Sequence, residues 1–174
     1  MDKAQWESRA RQVIDGYLDR NDGCFDAEMH AKLTACNYDE QKISIEFETL
    51  KRQINERGGI HGGAIAGMFD TALGVVANFA AGTIPVVQEC SDQSVDSPIA
   101  RATQATGHNA VRASEAATVE MNISYIRPVE FGQHTVIDTY IVKIGRTMIR
   151  LRGEMFCRES GKLVAAASGL WLPL

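Results

Sequence analysis

Between residues 61 and 81 the chain has no proline, and Ile65, Met68, Phe69, Leu73, Val76 and Phe79 recur at three- and four-residue steps. That spacing predicts an α-helix, and because the segment is apolar nearly all round the helix is expected to be buried. Near the start, Trp6, Ala10, Val13, Ile14, Tyr17 and Leu18 form one stripe over residues 4–19, and Asn21-Asp22-Gly23 stops it. An amphipathic structural helix is therefore predicted within residues 1–23. Ile43, Ile45 and Phe47 alternate with Ser44, Glu46 and Glu48, so strands are predicted over 31–38 and 42–50, joined by Asp39-Glu40-Gln41. Four further β-rich runs, at 118–127, 133–144, 147–158 and 163–172, are punctuated by Pro128, Gly132, Gly145 and Ser160-Gly161. Their short connections predict antiparallel neighbours. The order of elements implies an α+β arrangement, an antiparallel sheet wrapped around one long central helix.

Residues 83–117 break this rhythm, with two prolines, many Ser, Thr, Ala and Asp residues, and little periodicity. Ser97-Pro98 reads as a helix start and Gly107 as a stop, which predicts a short helix inside a long loop. Both a functional lid and a plain surface excursion fit such a loop.

Composition narrows the class. At 174 residues the chain is expected to form one domain, 1–174, with a sizeable core. Hydrophobic residues make up 45%, charged residues 23%, and the formal charge is −4, which argues against a nucleic-acid partner. Cys24, Cys36, Cys90 and Cys157 show no CxxC spacing and no disulfide framework, and MDKAQWESRARQ lacks the apolar core of a signal peptide. The expectation is a reduced, cytoplasmic protein. The 61–81 segment is long enough to cross a membrane, but Asp70 would then lie near the bilayer centre and no Lys or Arg cluster flanks it. A buried core helix fits better.

Asp70 is the first functional suspect, because a charge halfway along a buried helix costs several kcal/mol unless it is paired, neutralised or used. Gly63, Gly67 and Gly74 share its face, which predicts a groove floored by backbone and open to a ligand or another helix. A structural carboxylate is the plainer reading. Asn55 could likewise cap the turn before the helix, and His61 could shape that turn. His30, His108 and His134 lack metal-ligand spacing, so no metal is expected.

The segment Asn55-x5-His61-Gly62-Gly63-x6-Asp70, followed by the run Thr118-Val-Glu-Met-Asn-Ile-Ser-Tyr-Ile-Arg-Pro128, resembles the hotdog-fold thioesterases of the phenylacetyl-CoA thioesterase-like branch. Gly145-Arg146-Thr147 and the closing Gly161-Lys162-Leu163-Val164-Ala165 extend the match to about residues 33–170. The N-terminal helix and the 83–117 excursion depart from the compact family pattern. The resemblance implies hydrolysis of acyl-CoA thioesters, with a small, medium-chain or aromatic acyl group. It implies no metal or organic cofactor, coenzyme A being part of the substrate. It also implies a homodimer whose sheets join edge to edge, alone or as a dimer of dimers.

Carried over by position, the resemblance makes Asp70 the nucleophile or general base, and Asn55 the group that orients the water or the thioester. The amide of Gly62 or Gly63 would polarise the carbonyl, Thr118 would assist Asp70 or its water, and His61 would shape the turn. Gly145, Arg146 and Thr147 would lie near the pantetheine and nucleotide path. Arg127 and Arg146 flank turns where they could meet phosphates. Pocket walls are expected from Met68, Phe69, Leu73, the 83–117 loop and a partner chain. A hotdog hydratase or dehydratase and a non-catalytic acyl-CoA sensor are the alternatives.

Thioester hydrolysis develops charge on the carbonyl oxygen, and a helix N-terminus supplies amides without intrahelical partners to meet it. His61 and Asp70 are nine residues apart, roughly 13 Å along one helix. An aspartate side chain cannot bridge that gap. One helix therefore cannot bring its own N-terminal amides and its own Asp70 to one carbonyl, whereas two antiparallel helices related by a two-fold axis can.

Overall fold

The computed structural model describes residues 1–19, 23–84 and 115–174. Helix α1 spans Lys3–Leu18 and helix α2 Gly62–Ala81. The strands are β1 (Ala31–Asn37), β2 (Lys42–Glu48), β3 (Ala116–Tyr125), β4 (His134–Ile144), β5 (Ile149–Cys157) and β6 (Leu163–Pro173). Short 3₁₀ turns at Ala27–Met29 and Lys51–Gln53 complete the described chain. The short helix expected between Ser97 and Gly107 lies outside the described residues.

All six strands form one antiparallel sheet in the order β1-β2-β4-β5-β6-β3. One sequence expectation fails here: β3 and β4 are consecutive and closely linked, yet they are not neighbours, and among the described residues β3 pairs only with β6, at an edge. The link at residues 126–133 crosses the end of two intervening strands, a span of roughly 14 Å at ordinary strand spacing. Eight extended residues reach that far. Two bonds tie the link down, since Ile126 and Arg127 both donate their N–H to the Val164 carbonyl at 2.9 Å.

Helix α2 lies across the sheet with Met68, Phe69, Ala72, Leu73 and Val76 fully buried. Each large side chain on that stripe is worth about 1.5–3 kcal/mol of burial. Gly153 in β5 is what lets the helix come so close: a Cβ there would sit 2.9 Å from Leu73 Cδ1 and 3.1 Å from the Phe69 ring. Helix α1 is started by an Asp2–Gln5 capping box and buries Trp6, Ala10 and Ile14, as its stripe predicts. Trp6 meets Phe79 edge-on at 5.1 Å, and Arg9 Nη2 donates to the Gly82 carbonyl at 2.7 Å, closing the C-terminal end of α2.

The opposite side of α2 is open, so the expectation of a buried charge needs correction: Asp70 is exposed in the protomer, as is Gly63. The apolar count around the helix was high because alanines and glycines line the open side as well. Its glycine stripe is only partly a groove. Gly74 has nothing within 4 Å of a would-be Cβ, but at Gly67 the Phe25 ring and Met29 lie 2.8 and 3.1 Å from that position.

Candidate functional site

The opening of α2 is fixed by the sequence around its glycines. His61 is the N-cap, and its Nδ1 accepts the Gly63 N–H at 2.9 Å, so that nitrogen is unprotonated and His61 serves the turn. The Gly63 amide is thereby engaged. Gly62 N–H finds no acceptor among the described residues, which leaves one helix-terminal donor unengaged. Tyr125, the last residue of β3, lies against this opening: its phenol donates to the Gly62 carbonyl at 3.1 Å, and its ring edge is 3.5 Å from where a Gly62 Cβ would be.

Eight residues further along α2, Asp70 Oδ1 accepts the Thr118 hydroxyl at 3.0 Å. Thr118 and Tyr125 are an odd number of residues apart, so on a regular strand they would face opposite sides. A register shift between Thr118 and Glu120 in the β3–β6 pairing inserts Val119 as an extra residue. The bulge brings Thr118 onto the helix-facing side with Tyr125. Gly169 in β6 accommodates it, since a Cβ there would lie 2.4 Å from the Glu120 carbonyl and 2.8 Å from the Trp171 ring.

A pocket of about 730 Å³ opens beside the α2 N-terminus, lined by Asn55, Arg57, Gly58, Gly59, Ile60, Gly62, Ile65 and residues 125–131. Its walls combine the turn before α2 with the β3–β4 link, stitched together by Ile60 N–H to the Val129 carbonyl at 2.8 Å. Asn55 belongs to the turn: its Oδ1 accepts from Arg57 N at 2.9 Å and its Nδ2 donates to the Ile60 carbonyl at 3.4 Å. Arg127 lines the pocket while donating to the Leu163 carbonyl at 2.6 Å.

Other expected site residues fall elsewhere. Met68, Phe69 and Leu73 are fully buried against the sheet, so they cannot wall an accessible pocket; they occupy the sheet-facing stripe, between about 60° and 160° around the helix from Asp70. Gly145, Arg146 and Thr147 form the β4–β5 hairpin, with Arg146 and Thr147 exposed. Since Ile149 pairs with Trp171 and Trp171 with Thr118, that hairpin lies at the Thr118 end of the sheet, away from the pocket of the same chain. Of the other C-terminal basic residues, Arg158 is paired with Glu46 at 2.5 Å, and Arg152 with Glu154 at 2.8 Å while lying over Tyr140.

Within one chain, then, a free backbone donor and an exposed carboxylate sit on one helix but not at one point. Residues 57–164 match the thioesterase superfamily profile, more than half of the chain. This chain belongs to the thioesterase superfamily. Mouse acyl-coenzyme A thioesterase 13 is 23% identical over 134 residues, covering 77% of this chain and 74% of its own. In three dimensions the chain is similar to the E. coli PaaI protein from the phenylacetic acid degradation operon, with a TM-score of 0.69 at 15% identity over 97% of this chain and 96% of that one. A Streptococcus mutans protein solved bound to acetyl CoA superposes with a TM-score of 0.59 at 17% identity, covering 83% and 88%. The sheet around a central helix is thus the hotdog fold of this superfamily.

For a thioesterase-superfamily chain, the residues that sequence reasoning passed over are Tyr125 and Arg57. The signal for Tyr125 was present, as it directly precedes Ile126-Arg127-Pro128 in the matched strand. Phe25 was also missed. It lies over Gly67 while the adjoining Asp26 Oδ1 accepts the Thr71 hydroxyl at 2.5 Å, so this segment is fastened to α2 on both sides of Asp70.

Proposed function

We propose that the chain hydrolyses acyl-CoA thioesters to the free acid and coenzyme A. The observation that carries this reading is the exposed Asp70 carboxylate, held by Thr118 in the middle of α2. Such a group attacks a thioester carbonyl or takes a proton from water. Negative charge then builds on the carbonyl oxygen, and the unengaged Gly62 amide is the donor suited to it. The two groups lie eight residues apart on one helix, about 12 Å by helical rise. The reacting carbonyl therefore sits between Gly62 of one protomer and Asp70 of a second, with two equivalent sites in a homodimer. The edge of β3 that is unpaired among the described residues is the surface through which the second copy joins, on the strand that carries both Thr118 and Tyr125. Arg57 and Arg127 supply positive charge at the pocket mouth for the coenzyme A phosphates. Asn55 acts chiefly by holding the turn, and through it the α2 N-terminus.

Release of free thiol across an acyl-CoA panel tests the reading. Asp70→Asn should lower kcat by about a hundred- to ten-thousandfold with little change in thermal stability. Binding without turnover by the unmutated protein would replace hydrolysis by acyl-CoA binding, and unchanged turnover in Asp70→Asn would remove the mechanism.

A further inference from the structure

We propose that Tyr125 is the positioning residue for the Gly62 amide, an inference that rests on reading that amide as the carbonyl donor. Two consecutive glycines at a helix start allow a substrate to approach the backbone, but they also loosen it, since glycine is the residue with the most conformational freedom to lose. An oxyanion donor is effective only when its direction is fixed before the charge develops.

Gly62 N–H lies in the His61–Gly62 peptide plane, and the unit after Gly62 restrains that plane through the two backbone torsions of Gly62. The unit before it is held by its carbonyl, because His61 O accepts from Ala64 N at 2.9 Å and Ile65 N at 3.2 Å. The unit after it is held at both ends. Its N–H, from Gly63, is bound by His61 Nδ1 at 2.9 Å, and its carbonyl, from Gly62, receives the Tyr125 hydroxyl at 3.1 Å. The Tyr125 ring edge, at 3.5 and 3.6 Å, fills the space that a side chain on Gly62 would have taken. Tyr125 thus restores from outside the order that the glycine lacks, and it does so through the carbonyl rather than the N–H. A tyrosine that served only as pocket wall would need the ring, not the hydroxyl aimed at a backbone carbonyl.

Tyr125→Phe keeps the ring and removes the hydroxyl, so it separates the two roles. The expected result is a fall in kcat of about five- to tenfold, the worth of one hydrogen bond, with KM unchanged for both an acyl-CoA and the corresponding acyl-N-acetylcysteamine. A second readout is the infrared carbonyl stretch of an aryl thioester bound to Asp70→Asn, where polarisation by Gly62 lowers the frequency. Adding Tyr125→Phe should abolish most of that lowering. A rise in KM with kcat intact, or an unchanged carbonyl frequency, would overturn the proposal and leave Tyr125 as a wall. If the unmutated protein releases no thiol from any acyl-CoA, the reading of the site as hydrolytic falls, while the carbonyl frequency of the bound thioester still decides for or against Tyr125.

Discussion

At its Tyr125 end, β3 meets α2 through a backbone carbonyl; at its Thr118 end it meets the carboxylate of Asp70. The first contact orders a donor made of main chain. The second orients a charged side chain that stands in solvent in the protomer. The Tyr125 end follows from regular alternation, with Met121, Ile123 and Tyr125 on the helix side, whereas the Thr118 end exists only because Val119 bulges out of register. One edge strand thus sets both groups of the proposed site, with a regular segment for one and an irregularity for the other. A bulge costs a sheet part of its pairing, and here it re-aims one hydroxyl.

That contrast can be broken at one end alone. Gly169→Ala should press the bulge out of β3, because a Cβ there would lie 2.4 Å from the Glu120 carbonyl; a regular β3 that keeps Val119 turns Thr118 to the far face while leaving Tyr125 on Gly62, and thioester turnover should fall on the order of a hundredfold, as for other small misplacements of catalytic groups. If the Gly169→Ala variant folds by circular dichroism and keeps full activity, the bulge has no part in the site. Thr118→Val is the milder version, since it keeps strand and shape and removes only the hydroxyl. A drop in kcat of about tenfold is expected, at the low end for a hydrogen bond to an exposed charged group, and steady-state kinetics beside Tyr125→Phe would show whether the two ends matter equally.

The smallest effect concerns the Tyr125 end of the sheet away from α2. Glu159 there accepts the His134 backbone N–H at 3.0 Å and the Cys157 thiol at 3.3 Å. Its carboxyl is held from the ordinary 4.5 down to about 2, first by the His134 backbone N–H. A depressed carboxyl stabilises the fold above its unfolded-state value and loses that contribution as the pH falls toward the folded value. The melting temperature should therefore fall between about pH 4.5 and 2 more steeply in the unmutated protein than in Glu159→Gln. At pH 7 the variant should lose less than about 1 kcal/mol and keep its turnover. A loss of turnover in Glu159→Gln would mean that general loosening of this end of the sheet, rather than the Tyr125 hydroxyl, governs the Gly62 amide.

Much of this was legible before any coordinates. The 61–81 helix appears as Gly62–Ala81 with His61 as its cap, because apolar periodicity and a glycine pair are local signals. Strands expected at 118–127 and 133–144 appear as Ala116–Tyr125 and His134–Ile144, within two residues at their ends. Misreadings came where a local signal was asked a non-local question. A short link between β3 and β4 suggested neighbours, but two other strands separate them. Asp70 was expected to be buried because its neighbours in sequence are apolar, yet residues on the same helix turn face different surroundings. For the same reason Met68, Phe69 and Leu73 are core rather than pocket wall.

The sequence by itself determined the elements, the glycine-opened start of α2 and the nine-residue offset of Asp70 from His61, since periodicity, capping and helical rise are properties of contiguous chain. The same offset carries the expectation that one helix does not complete a site alone. Only the tertiary structure decided which amide remains unengaged, which face of α2 stays open, and that Thr118 and Tyr125 share a side of β3. Those outcomes depend on pairings between segments far apart in the chain: β3 with β6, Tyr125 with Gly62, and Thr118 with Asp70.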